Sequence, residues 1–551
     1  MAVTESPRPK HNTSLKREVG LIGLTWASMG SIIGSGWLFA PKDALMVAGP
    51  AVLISWLLGG VAIIVLALVH AELGGMYPVS GGTARFPHYA FGGVAGASFG
   101  WFAWLNAATV APIEVSAVLT YMGHYKFAEG WINPDTSVLS ATGIFIAVVL
   151  MALMVAINFL GVKMLAATNS AMTWWKIAIP LLTILVLSIK NFDTSNLHLA
   201  NGFNPEGLKG IFTAIASGGI IFSYLGFEQA DQLAGESSNP KKDVPRAVIG
   251  SVVLGTIIYI LLQVAFLFAL PHTAIGKTWD ATGDGLYTTF TGPFAEVATA
   301  LSIGWLATII YLDAFVSPAG TGLIYTTGSS RLAYGLSRNG YVPSAFEWTN
   351  KRGVPWVGLL AAFVTGCICF LPFPSWQSLV GLITSASVLM YGGAPLSLGA
   401  FRKRLPNADR PYRLPAAGFL SPVAFIIANL IILFSQWETV WKLGVTILVG
   451  YAILVINRVF KLNDHKPTLD WKAASWLLPY LAGMGLIVYL SSFGHDTKNP
   501  VIGFGWDTLA VAIWSLVVYY WAMAVALPTR KIEEMLEEVE APEEGMEPVA
   551  H

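Results

Sequence analysis

Apolar residues run through this 551-residue chain in stretches of twenty or so, one after another, with polar connections between them. A helix rises about 1.5 Å per residue, so about twenty residues cross a bilayer core roughly 30 Å thick. Inside lipid the backbone has no water to bond with, and only helices or closed barrels satisfy it internally. Runs this long select the helix, and the chain reads as an all-α integral membrane protein. About fourteen spans are expected, near residues 20–47, 51–76, 92–123, 139–160, 164–189, 210–233, 245–270, 298–333, 355–372, 376–401, 418–436, 440–459, 474–493 and 505–527. Charge agrees: 12% of the residues are Asp, Glu, Lys or Arg, about half of the roughly 25% found in a soluble domain. A soluble enzyme is thereby excluded. A formal net charge of zero, with no basic stripe, also argues against nucleic-acid binding. Cys367 and Cys369, two apart in an apolar run, offer neither a disulfide framework nor zinc-ligand spacing.

Lys and Arg set the orientation, because positive charge is retained in cytoplasmic loops. With the N-terminus inside, 24 of the 32 Lys and Arg residues fall on the inner side, seven face outward and Lys176 lies within a span. Both termini are therefore expected in the cytoplasm, in a multi-pass protein of the plasma membrane. The polar leader, residues 1–18, precedes an apolar run too long for a signal-peptide core and without a small-residue cleavage site. Residues 529–551, with eight Glu, read as a solvated acidic cytoplasmic tail.

Two spans are poor straight helices. The first contains Gly30-Ser31-Ile32-Ile33-Gly34-Ser35-Gly36, and each Gly costs about 1 kcal/mol against Ala inside a helix. The sixth contains Ser217-Gly218-Gly219 and then Phe222-Ser223-Tyr224-Leu225-Gly226-Phe227-Glu228. Unwound backbone survives at membrane depth only where it is buried in protein or lines a polar cavity. Glycines can also serve close helix packing, but these two segments lie five spans apart. That offset is odd, so a second copy of a five-span unit inserts upside down. Interrupted helices at matching positions of inverted halves point to a midplane binding site in a secondary transporter. A half-helix starting at Gly34-Ser35-Gly36 turns free amides inward, which suits a carboxylate. The first half of span six, ending near Phe222-Ser223, leaves carbonyls free for an ammonium. An α-amino acid carries both groups. The candidate substrate contacts are Ile32, Gly34, Ser35, Gly36, Phe222, Ser223 and Leu225, with Asn106 in span three placed for the substrate side chain.

Further motifs accompany these breaks. Ala71-Glu72-Leu73-Gly74-Gly75-Met76-Tyr77-Pro78 and Ser80-Gly81-Gly82 follow span two. Glu236-Ser237-Ser238-Asn239-Pro240-Lys241-Lys242-Asp243-Val244-Pro245-Arg246-Ala247 follows span six, and Ser330-Arg331 through Tyr341-Val342-Pro343 closes span eight. Over roughly residues 15–460, with Gly30–Gly36 and Gly226-Phe227-Glu228, the chain resembles the amino acid–polyamine–organocation (APC) superfamily of permeases. Pro112-Ile113-Glu114, Asp313-Ala314 and Ser317-Pro318 are similar to bacterial aspartate–proton symporter-like members. The resemblance implies a LeuT-like 5+5 inverted repeat, with helices 1 and 6 broken around substrate. Its first repeat would be 19–190 and its second 209–404, followed by helices 11–12 at 418–460. Helices 13–14, at 474–528, depart from the common twelve-span pattern.

A charged side chain at mid-bilayer costs roughly 2.5–3.5 kcal/mol on insertion scales, so each one asks for a partner or a task. Glu114, Lys176, Glu228 and Asp313 stand out as candidates for proton coupling. For Lys176 the resemblance implies more: a span-five lysine in proton-coupled relatives takes the place of sodium, bridging the break in span one to span eight. Glu228 follows the second break, where relatives carry an acidic residue in a polar network. Glu114 and Asp313 fall in the outer halves of corresponding spans, where they would line an outer vestibule, carry protons or select a cationic group. His70 and Glu72, at the inner end of span two, read as a cytoplasmic network rather than a metal site.

The expected function is a secondary active amino acid transporter, driven by a proton gradient and needing no cofactor or metal. Its partners are an amino acid, the proton and the bilayer. The alternative is an exchanger of the same fold swapping one amino acid or amine for another. A membrane-embedded enzyme is disfavoured, since no metal-binding helix motif or nucleophile with a placed base occurs.

Overall fold

The computed structural model describes residues 19–79, 81–133, 138–160, 162–280, 283–371 and 375–540. The leader 1–18, Ser80 of the motif after span two, and residues 541–551 of the acidic tail lie outside them. The described residues form an all-helical protein without strands. The first half holds α1 (Leu21–Ile32), α2 (Gly36–Ala48), α3 (Val52–Met76), α4 (Gly82–Phe91), α5 (Gly93–Met122), α6 (Ala141–Phe159) and α7 (Val162–Lys190). Then come α8 (Gly207–Ala216), α9 (Ile220–Tyr224), α10 (Gln229–Gln232), α11 (Pro240–Ala269), α12 (Pro293–Ala300), α13 (Gly304–Arg338), α14 (Trp356–Cys369) and α15 (Trp376–Arg404). The chain closes with α16 (Ala417–Phe434), α17 (Trp437–Val459), α18 (Leu477–Leu490), α19 (Trp506–Val525) and α20 (Thr529–Glu540).

Ten of the described stretches are long and apolar enough to cross a membrane, with Gly36–Met76 taken as one; α1, α8, α14 and α18 are shorter apolar helices. Burial sorts them by position. The most apolar windows of α5 and α15 are entirely enclosed, whereas that of α17 is only 11% buried. A helix apolar all round belongs in a core or against lipid, and Leu448, Val455 and Val459 on α17 face outward. Around the enclosed pair, which pack on each other, α13 packs on α5 and α16 on α15. The last two apolar helices are fastened through polar side chains. Tyr480 of α18 donates to Asn429 of α16 at 2.6 Å, and Asn429 donates to Ser515 of α19 at 2.8 Å. Between membrane helices such bonds act as glue.

Ionic contacts gather at one end of the bundle. Glu72, fully buried at the end of α3, accepts from Arg402 at 3.0 and 2.5 Å and from the Leu414 amide at 2.7 Å, and lies 3.2 Å from Arg410. His70 instead turns its Nδ1 to Leu66 O at 2.8 Å and packs its ring on Phe227 and Tyr391. The start of the acidic tail corrects the expectation of a merely solvated extension. Ile532, Met535 and Leu536 recur at i, i+3 and i+4, and this stripe docks α20, with Ile532 fully buried. Lys531 pairs with Asp470 at 2.5 Å, and the Leu527 amide donates to Ala90 O, tying the segment to α4.

α4 is a short amphipathic helix outside the membrane-crossing stretches, and His88 on it meets Tyr341 OH at 2.7 Å. Burial, and then the neighbouring Arg85 charge, push the His88 imidazole down from 6.5 to about 4. The folded protein therefore holds it neutral, while the unfolded chain binds a proton near pH 6.5. The stability this gives is complete above pH 6.5 and drains away as pH falls through about 4. Thermal unfolding followed from pH 7 to pH 4.5 should show an acid loss of order 1–3 kcal/mol that His88→Gln largely removes.

Candidate functional site

Helix α1 stops at Ile32 because Ile33 leaves the helical region, at φ −91° and ψ 88°, and α2 restarts at Gly36. Such an interruption strips the last carbonyls of α1 and the first amides of α2 of their intrahelical partners. Side chains from four other helices fill them. Lys176 Nζ of α7 donates to Gly30 O, and to Thr321 Oγ1 of α13 at 2.6 Å; Thr321 also donates to Gly30 O at 3.2 Å. Tyr259 OH of α11 donates to Ile32 O at 2.8 Å. On the other side of the gap, the Ser35 amide donates to Glu114 Oε2 of α5 at 2.9 Å. Glu114 Oε1 is buried without a hydrogen-bond partner, and a Cβ on Gly34 would stand 2.5 Å from it.

The sixth span is interrupted as well. α8 ends at Ala216, Gly219 takes φ +89°, and α9 runs only to Tyr224. Leu225 is extended and Gly226 sits at φ +122°, so the main break lies at Leu225–Glu228, just beyond the Phe222-Ser223 expected from sequence. Glu228 closes this gap from within: Gly226 N and Tyr391 OH donate to Oε2 at 2.9 and 2.6 Å, and Tyr325 OH donates to Oε1 at 3.0 Å. Ser28 of α1 bonds across the break, donating to Phe227 O at 3.1 Å and accepting from Ala230 N at 3.2 Å.

The two breaks touch. A Cβ on Gly36 would stand 2.6 Å from Ser223 Oγ, and one on Gly226 would stand 2.7 Å from the Ile32 amide nitrogen. Ile32, Gly34, Ser35, Gly36, Phe222, Ser223 and Leu225 are all buried where the segments cross. Over Ser35 lies Trp376 at the head of α15, whose Nε1 donates to Ser35 Oγ at 2.8 Å. Its ring meets Phe39 at 5.0 Å and Phe222 edge-on at 5.6 Å. Asn106 stands apart in its bonding, with its carbonyl taken by Ser387 of α15 at 2.6 Å.

Lys176 is in electrostatic contact with Glu114 and Asp313. Asp313 accepts from Trp37 Nε1 at 3.1 Å and from Ser317 at 2.7 Å. In this closed arrangement Glu114 and Asp313 line no open vestibule. Both carboxylates are fully buried, drawn inward by the Ser35 amide and the Trp37 indole. Sequence reasoning missed Thr321, Tyr259, Trp376, Tyr325 and Tyr391. Thr321 carried a readable signal, a hydroxyl between Gly320 and Gly322 within an apolar span. The buried phenols carried none, because an aromatic in a core is ordinarily packing. Among the described residues, no group of three His, Cys, Asp or Glu side chains is placed to hold a metal.

Comparison with known proteins adds to this geometry. The family described as Amino acid permease matches residues 19–456. A glutamate/serine transporter, AimA of Bacillus subtilis, is 35% identical over 529 residues, covering 95% of this chain and 96% of its own. An aspartate-proton symporter of the same organism is 35% identical over 525 residues, covering 94% of this chain and 98% of its own. A branched-chain amino acid permease of that bacterium, BcaP, is 27% identical over 480 residues. Coverage this wide extends past residue 456, so the first two relatives share the region of α18 and α19.

The contact between the breaks generates a direct test. Gly226→Ala adds a Cβ 2.7 Å from the Ile32 amide, at a φ of +122° that L-residues avoid. Purified Gly226→Ala should lose of order 1–3 kcal/mol in thermal unfolding. Gly250→Ala, where a Cβ meets nothing within 4 Å, should be neutral or slightly stabilising.

Proposed function

This chain belongs to the amino acid permease family of the APC superfamily, whose members are transporters and not enzymes, and on that premise we propose proton-coupled uptake of an α-amino acid by alternating access. The observation that carries the reading is the pair of buried helix ends at the first break, one lined by carbonyls and one by an amide. Each already holds a side chain with the charge that a zwitterion would bring: Lys176 on the Gly30 carbonyl and Glu114 on the Ser35 amide. A substrate carboxylate seeking that amide has to displace Glu114. A buried carboxylate that loses its donor is costly as an ion, so the displaced Glu114 takes up a proton from the side to which the site is open. The proton leaves when substrate leaves and Glu114 returns to Ser35.

Charge count supports the same coupling. One ammonium, Lys176, faces two carboxylates, Glu114 and Asp313, and a proton is the smallest cation that balances the enclosed trio. Lys176 links the α1 end to α13, so its release from Gly30 frees the first broken helix to move against α7 and α13. Glu228, held by two phenols and an amide, keeps the second break in shape. In this reading Trp376, Phe39 and Phe222 form the closed outer lid. The topology we take is fourteen spans with both termini in the cytoplasm, built on inverted units 19–190 and 209–404. The substrate is drawn from the acidic and small polar amino acids for which the similar Bacillus proteins are named.

Reconstituted liposomes provide the test. An inward proton gradient should drive accumulation of labelled L-aspartate, L-glutamate or L-serine, and dissipating the gradient should abolish it. Lys176→Ala should lower gradient-driven accumulation at least ~100-fold, matching about 3 kcal/mol of lost coupling. Glu114→Gln should retain counterflow of labelled against unlabelled substrate but lose its dependence on pH. Counterflow without any response to a pH gradient in the unaltered protein would mark an exchanger.

A further inference from the structure

A pocket opens at the end of α17 away from both breaks, lined by Asn457, Arg458, Lys461, His465, Lys466 and Gly340. Three features of its chemistry converge. Arg458, Lys461 and Lys466 are exposed, and among the described residues no carboxylate lies within ion-pair distance of any of them; Asp464 of the same loop is exposed and does not line the pocket. Asn457, only 3% exposed, donates Nδ2 to Gly340 O at 3.0 Å while its Oδ1 has no partner. A buried acceptor left unpaired is unfavourable, so Asn457 Oδ1 asks for a donor that enters the pocket. Finally, the pocket adjoins the lipid-facing side of α17, where Val455, Val459 and Phe460 are exposed.

Cations, a buried acceptor and an adjoining apolar wall describe a phosphate, a hydroxyl and acyl chains. We propose that this pocket binds the headgroup of an anionic glycerophospholipid carrying a free hydroxyl, as in phosphatidylglycerol. The phosphate takes N–H donors from Arg458, Lys461 and Lys466, the head hydroxyl donates to Asn457 Oδ1, and the chains lie along Val455 and Val459. Basic pockets at the ends of membrane helices are suited to such headgroups. The floor of the pocket is the turn that ends α13. Asn457 holds Gly340 O, and Asn463 holds Ser337 O and Val342 O, both at 2.8 Å. A bound headgroup therefore braces the end of the helix that carries Asp313, Thr321 and Tyr325. The assignment stands independently of what is transported.

Thermal unfolding of the full chain in detergent, titrated with phosphatidylglycerol, phosphatidylcholine or soluble glycerol phosphate, tests this. Phosphatidylglycerol should raise the midpoint by several degrees, and the other two should not. The triple variant Arg458→Gln, Lys461→Gln, Lys466→Gln should keep the midpoint seen in phosphatidylcholine but bind phosphatidylglycerol on the order of a hundredfold more weakly, each basic residue contributing near tenfold or somewhat less. Equal shifts in the variant and the unaltered protein overturn the proposal. So does an equal shift with glycerol phosphate, which would make the pocket a site for soluble anions. Should the variant fail to fold, native mass spectrometry of the unaltered protein decides. Selective retention of phosphatidylglycerol supports the site, and equal retention of both lipids overturns it.

Discussion

The structure is organised by backbone polar groups that two interrupted helices leave without partners, far from water. An unpaired amide or carbonyl in such a place costs a few kcal/mol, so a break persists only where other helices bring donors and acceptors to it. Lys176 and Thr321 reach Gly30 O, Tyr259 reaches Ile32 O, and Glu114 reaches the Ser35 amide. These four side chains come from α7, α13, α11 and α5. Around a single gap in α1, half the bundle is thus held in register, and movement at any one of these contacts is felt at the others.

The two breaks are satisfied by different chemistry. The first is served by ionisable groups, an ammonium and two carboxylates in electrostatic contact. At the second, Glu228 is taken by two phenols and an amide, with the buried Asp231 carboxylate beside it. Neutral donors fix geometry without a counter-charge, whereas a lysine between two acids leaves a charge balance that a proton or a ligand can alter. This contrast suits the first break to being the adjustable one and the second to being its rigid counterpart.

Much of this was legible in the sequence, for reasons that can be stated residue by residue. Gly30, Gly34 and Gly36 announce a break because glycine at mid-membrane opposes a straight helix, and Gly226 does the same for span six. Lys176 is conspicuous because charge is rare at that depth. Depth alone does not give the partners of Glu114 and Asp313: a count along the span places them in its outer half, and only the fold reveals the Ser35 amide and the Trp37 indole that hold them. Likewise the glutamates of the tail suggested a solvated extension, while the stripe through Ile532 and Leu536 was what docked its first turns. Tyr259, Tyr325 and Tyr391 were illegible, since a buried tyrosine shows its hydrogen-bonding role only when its partner's position is known.

In the proposed transport cycle, a carboxylate tethered to the protein and seated on the Ser35 amide acts as a permanent rival to any free one. Unlike a competitor in solution, it is never diluted, so it would weaken the binding of every free carboxylate by the same factor. A visitor bearing only an acid group would gain no more from that amide than Glu114 already provides, and a simple monocarboxylate such as acetate would bind poorly. Admission would fall to molecules that add a second interaction elsewhere, and discrimination would then arise from an incumbent within the chain rather than from the shape of the opening.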